Sequence, residues 1–163
     1  MLRSLLSISC IIVLASFAGL PSDEKGVYSH PAFVGKKIQS TVFGEYFKDG
    51  LKGKTIAMVV SYGCEHCQDA TRDAQKLWDE KLIDNIVILG TEMGDTGSRD
   101  KFKKAVEHNY TMIEYDFTQL APKLMAVDSL FPPVPVGIYL KDDVIVKMYT
   151  QIPGVNSFAK FNK

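Results

Sequence analysis

The apolar run Thr55-Ile56-Ala57-Met58-Val59-Val60 leads through Ser61 and Tyr62 into Gly63-Cys64-Glu65-His66-Cys67. The run has no polar alternation, which suits a strand buried on both faces of a parallel or mixed sheet. The segment behind it, 65–82, reads as a helix. Its apolar stripe runs through Ala70, Ala74, Leu77 and Trp78 and ends on the stem of Lys81. A buried strand feeding a helix commits the chain to a layered α/β arrangement. Two cysteines three positions apart at that junction form a redox candidate.

The remaining elements extend the pattern. Residues 33–47 hold short apolar stretches around Gly35 and Gly44, read as one or two edge strands, with turns at 48–50 and 52–54. Residues 86–89 form a second buried strand, and 90–98 a polar, Gly-rich loop. Ser98 is placed to cap a helix through Phe102, Ala105 and Val106 to about His108, where a cation suits the helix end. A short strand over 111–117 precedes a short helix over 118–127, with Leu120, Leu124 and Val127 inward and Pro122 near its start. After Phe131-Pro132-Pro133-Val134-Pro135, the apolar runs 136–140 and 144–149 flank Asp142-Asp143 as a β-hairpin, and 156–161 can close the chain as a helix. The resulting order is α/β: a central mixed sheet with helices on both faces and an antiparallel hairpin at one side.

The chain of 163 residues suffices for one domain. Its 19 Lys and Arg balance 19 Asp and Glu, so charge makes no case for nucleic acid or an acidic membrane face. The N-terminus differs. Arg3 is followed by the almost wholly apolar or small run 5–20, with Ser16-Phe17-Ala18 as a small-x-small site. Residues 1–18 read as a signal peptide, with an uncleaved anchor as the second reading; the run is short against the ~20 residues of a spanning helix. Cys10 reads as one more small apolar residue of that run. Residues 19–32 read as a linker, with His30 a solvated loop residue, and 33–163 as the domain. Removal of 1–18 leaves Cys64 and Cys67 as the cysteines of the mature chain. A structural disulfide framework uses more cysteines at wider spacing, so an exported chain with one close pair favours disulfide chemistry on other proteins.

These residues carry a resemblance. The stretch from Leu51 to Cys67 resembles the active-site strand of the thioredoxin superfamily, and that from Val134 to Ile145 resembles its cis-proline strand and the following hairpin. The helix-strand unit over roughly 90–117 is similar in placement to the insertion of the exported TlpA-like branch. The likeness spans roughly residues 33–155. It implies a thioredoxin-like fold with that insertion, and a thiol-disulfide oxidoreductase in the periplasm or another extracytoplasmic space. It also implies a cis Val134-Pro135 bond facing the cysteines, with the Val134 backbone pairing to an extended substrate segment. The chain departs from the family in three places: Gly63 stands where a Trp is usual, and Met58 and Ala70 occupy the two familiar positions of a proton-handling carboxylate. Glu65, Asp69 and Asp73 are near, but helix geometry turns them mostly to solvent.

Disulfide exchange needs an attacking thiolate and a second thiol that releases the mixed disulfide. Cys64 at a helix start gains from unpaired N–H groups and the positive end of the dipole, which favour the anion. Cys67, one turn on and deeper, is the resolving thiol. A protonated His66 adds positive charge beside Cys64 and Glu65 opposes it, which places the potential between the reducing and the strongly oxidising members of the family. The expected cofactor is none beyond a redox-active Cys64–Cys67 disulfide. Expected partners are thiol- or disulfide-bearing proteins and a redox partner that recycles the pair; a membrane enters only through an N-terminal anchor. Two other classes remain open. Cys64, His66 and Cys67 offer soft ligands for copper, although no fourth ligand completes a structural zinc site and no metal is expected. A non-catalytic thioredoxin-like interaction module, its pair oxidised and idle, is the other.

Overall fold

A computed structural model describes residues 25–94 and 96–162. The signal-peptide reading of 1–18, with Cys10, lies outside the described residues. Six strands make one mixed sheet, in the order β1 (Val27–Tyr28), β6 (Val144–Tyr149), β5 (Val136–Lys141), β2 (Lys54–Ser61), β3 (Asn85–Thr91) and β4 (Thr111–Glu114). The strands β2, β3 and β4 run parallel; β5 is antiparallel to β2, and β6 to β5. Four helices accompany them: α1 (Glu65–Asp79), α2 (Ser98–Val106), α3 (Phe117–Val127) and α4 (Val155–Phe161). No helix among the described residues is long and apolar enough to cross a membrane.

The uninterrupted apolar run of β2 serves two cores. Ile56, Met58 and Val60 face one, with Leu77 of α1, Phe102 of α2 and Phe158 of α4. Ala57 and Val59 face the other, with Leu120 and Leu124 of α3. The strand β3 divides likewise, Ile86 and Ile88 against Val87 and Leu89. Apolar side chains on both faces explain why neither strand alternates. The hairpin turn places Asp142 and Asp143 at φ 47° and 70°, a left-handed pair that Asp tolerates well and that matches the strand twist. Asp143 also accepts from the Leu51 N–H, tying the hairpin to the approach to β2.

Several sequence expectations yield to the structure. Residues 33–47 form turns and one 3-10 turn, Ile38–Ser40, with a single bridge between Lys37 and Val144. Phe33, Ile38, Phe43 and Phe47 are buried there at spacings that follow neither strand nor helix. The 19–32 linker ends inside the domain: Val27 and Tyr28 pair with Tyr149 and Met148. His30 is no free loop residue, since its Nδ1 accepts from the Ala32 N–H at 3.2 Å. Ser98 does not cap α2. Gly97 holds that position, and the Ser98 hydroxyl is buried without a partner. His108 lies past the end of α2, which stops at a left-handed Glu107. The helix α1 stops at Asp79 rather than 82, ahead of a left-handed Lys81. Of the expected stripe, Ala74 and Leu77 are buried and Ala70 and Trp78 pack partly buried against the same core, but Cys67, Thr71 and Gln75 are buried as well and Lys81 lies beyond the helix. The polar Thr71 and Gln75 fit because both are satisfied: Thr71 Oγ1 donates to the Cys67 carbonyl at 2.8 Å, and Gln75 Oε1 accepts from Tyr110 at 2.6 Å.

Candidate functional site

The central strand β2 delivers Gly63-Cys64 at the end of the sheet, and α1 begins at once. Cys64 is the N-cap of α1, with extended backbone at φ −90° and ψ 116° and no side-chain capping bond. Its carbonyl accepts from the N–H groups of Cys67 (3.1 Å) and Gln68 (3.3 Å). Both cysteines are free thiols, Cys64 partly exposed and Cys67 buried. Burial pushes the Cys67 thiol up to about 12, helped by its hydrogen bond to the Cys64 side chain. Cys67 is therefore an interior S–H with its sulfur on its neighbour, while Cys64 meets solvent.

This asymmetry has a measurable result. The thiolate is the alkylated species, and a raised pKa keeps Cys67 protonated throughout the neutral range. In a Cys64→Ser variant the remaining thiol should resist iodoacetamide at about pH 8 and react only as pH approaches the raised value. Rapid labelling at neutral pH would contradict the burial seen for Cys67.

The Val134-Pro135 peptide is cis. The β2–β5 ladder is observed as far as Val59 opposite Val136. The strand β5 begins at Val136, so Val134-Pro135 enters the sheet at the end of β2 that leads on to Cys64. Val134 packs against the same core as Cys64 and Cys67. A groove of about 460 Å³ opens here. One wall is His66, Asp69, Ala70 and Asp73 of α1; the other is 132–135 together with 150–152. The groove thus brings His66 together with Val134 and Pro135, while Cys64 and Cys67, which share a core with Val134, are not among its lining residues. Glu65 is exposed and lies outside the groove lining.

Asp69 and Asp73 are largely solvent-exposed, as expected, and both also line this groove. The signal was present: 66, 69, 70 and 73 follow the helical spacing of one face. Thr150, Gln151 and Ile152 could be placed from the hairpin, because Gly137 pairs with Tyr149 and the chain beyond runs past Pro135. Around the missing carboxylates, Met58 is buried in the core and Ala70 lies in the groove wall. At Gly63 an added Cβ would meet nothing within 4 Å, so this corner of Cys64 lacks cover. The three ligands of the copper reading do not gather: among the described residues no three His, Cys, Asp or Glu side chains stand together as a metal-holding group.

Similarity to solved structures follows this geometry. The chain resembles the thioredoxin domain of a thiol-disulfide oxidoreductase from Bacteroides vulgatus, with a TM-score of 0.50 and 15% identity over 71% of this chain and 84% of that one. Two others are a secreted disulfide oxidoreductase of Mycobacterium tuberculosis, homologous to E. coli DsbE (TM-score 0.46, 16% identity, 68% and 78% covered), and a secreted thiol-disulfide isomerase of Corynebacterium glutamicum (0.49, 14%, 67% and 68%). No family model and no curated protein matches the sequence. The fold is thioredoxin-like. Within it, α2 and β4 occupy most of the segment 90–117, and β4 adds a parallel edge strand beside β3.

Proposed function

We propose that this chain is an extracytoplasmic thiol-disulfide oxidoreductase that exchanges disulfides with protein substrates through Cys64 and Cys67. One observation carries the reading: a partly exposed thiol at a helix N-cap with a buried thiol bonded to it one turn on. The thioredoxin-like fold shared with an oxidoreductase domain supports it. The apolar run 5–20 supports export.

In the reducing direction the Cys64 thiolate attacks a substrate disulfide sulfur and expels the other sulfur as a thiolate. The substrate segment lies extended in the groove, its backbone against Val134. Cys67 then attacks the Cys64 sulfur and the second substrate sulfur leaves. The Cys67 proton goes to a departing substrate thiolate. The other substrate thiolate takes up from solvent the proton that Cys64 gave up on ionising, so the pair ends as a disulfide, two electrons poorer, and the substrate as two thiols. Running the steps backwards oxidises a dithiol. His66 at the groove mouth supports the thiolate when protonated.

The test is reduction of insulin disulfides by the purified chain with dithiothreitol as electron source. Wild type should accelerate precipitation of the insulin B chain, and Cys64→Ser should fall to the uncatalysed rate. Activity retained in Cys64→Ser, or absent in well-folded wild type toward both insulin and a reduced peptide, would sink the proposal.

A further inference from the structure

The groove lined by His66 and Val134-Pro135 has one charged wall and one uncharged wall, and neither cysteine is among its lining residues. Its ionisable groups are His66, Asp69 and Asp73, all on α1; the wall of 132–135 and 150–152 has none. Asp69 pairs with Arg72 at 2.5 Å and Asp73 with Lys76 at 2.7 Å, both in solvent-exposed pairs. Such pairs are weak and exchange readily with another cation. Arg72 reaches on to the Ala105 carbonyl of α2 at 2.9 Å, and neither base lines the groove. Across from the two carboxylates, the N–H and C=O of Val134 have no backbone hydrogen bond among the described residues. An extended peptide laid along Val134 therefore finds open main-chain groups on one side and two carboxylates on the other.

The geometry points to a substrate class, on the premise that the exchange reading holds: the groove selects extended cysteine-bearing segments with Lys or Arg near the reacting cysteine. The spacing is specific. Residues four apart on a helix stand about 5–6 Å apart at Cβ. Alternate residues of an extended strand, on one face, stand about 6.6 Å apart. Asp69 and Asp73 thus match two basic residues separated by one.

Three peptides identical except for their flanks test this. Each carries one cysteine blocked as a mixed disulfide with thionitrobenzoate, flanked by Lys-x-Lys, Gln-x-Gln or Glu-x-Glu. The Cys64 thiolate attacks the peptide sulfur and thionitrobenzoate leaves as a coloured thiolate. Cys67 attacks Cys64 and frees the peptide thiol, and the pair is left as its disulfide. For the pre-reduced chain in single turnover, the expected order of the second-order rate constant is Lys, Gln, Glu, with about three- to ten-fold between the ends at low salt and a narrowing spread as salt screens the charges. In Asp69→Asn/Asp73→Asn the ratio between Lys and Glu peptides should fall to about one. Asp49→Asn/Asp100→Asn, the same charge change elsewhere, should keep the ratio. Equal rates in wild type, or a preference that survives Asp69→Asn/Asp73→Asn, overturn the inference and leave exchange intact. No reduction of any peptide by the folded chain overturns the exchange reading and the inference with it.

Discussion

Cys67→Ser is expected to turn the protein into a trap. The variant keeps Cys64, its place at the start of α1 and the groove, so the first attack proceeds. The mixed disulfide then has no resolving thiol, and each molecule stops after half a turn. Multiple turnover of insulin should vanish. Substrates should accumulate as covalent adducts on non-reducing gels and disappear with dithiothreitol. Serine is isosteric with cysteine but places a hydroxyl in a site that is 0% exposed, so thermal unfolding of the variant must be recorded beside the trapping. If folded Cys67→Ser turns over insulin at the wild-type rate, Cys67 is not the resolving thiol. If it forms no adducts, Cys64 is not the attacking group.

A large stability effect should come from Gly90→Ala. Gly90 lies in β3, paired with Val60 on one side and Glu114 on the other. A Cβ there would stand 2.2 Å from Tyr62 Cε1 and 2.4 Å from Cζ. The ring cannot retreat easily: it is 0% exposed and packs on Phe102 at 5.5 Å between centroids. Its backbone is also held, with the Tyr62 N–H on the Thr91 carbonyl at 3.0 Å. Overpacking of this kind costs about 3 kcal/mol, at the upper end of its usual range, because neither ring nor strand can give way. Chemical denaturation should show that loss, with Tm lower by about 10 °C. Tyr62→Leu in the same chain should recover part of it, a non-additivity that marks direct contact. A Gly90→Ala protein within about 0.5 kcal/mol of wild type would refute the close approach. Because Tyr62 is two residues before Cys64, partial survivors should also lose exchange rate beyond their loss of folded protein.

Much of this could be read from the chain because its strongest signals are local. The runs of β2 and β3 are apolar on both faces, and no half-exposed strand or surface helix presents that pattern. The hairpin announced itself through Asp142-Asp143 between two apolar runs, and the cysteine pair through its strand-to-helix junction. The expectations that yielded depended on distant partners. The face of α1 turned on Thr71 and Gln75, polar residues whose burial depends on hydrogen bonds, one of them to Tyr110 on another segment. Residues 33–47 bury four large side chains without regular spacing, which no periodicity reveals. Ser98 looked like a cap by residue type, but the left-handed φ of 85° at Gly97 starts the helix one residue earlier and turns the hydroxyl inward. For the site, Cys64, Cys67 and Pro135 were legible from motif and resemblance. The acidic wall was legible only once the opposite wall was known, since helical spacing alone does not say which side of α1 a partner segment covers.

The two walls of the groove come from remote parts of the chain, α1 on one side and the segments around Pro135 and Gln151 on the other. Helix α1 and its cysteines follow β2 directly and form from neighbours in sequence, whereas the groove exists only when β5 has closed on β2 across the intervening helices. Contacts of such separation are made late in folding, since loop closure must precede them. On the proposed reading, the thiol that reacts is thus in place at the start of α1 before the groove that would choose its partners is complete. Selectivity would then belong to the finished tertiary structure, and chemistry to a short local motif.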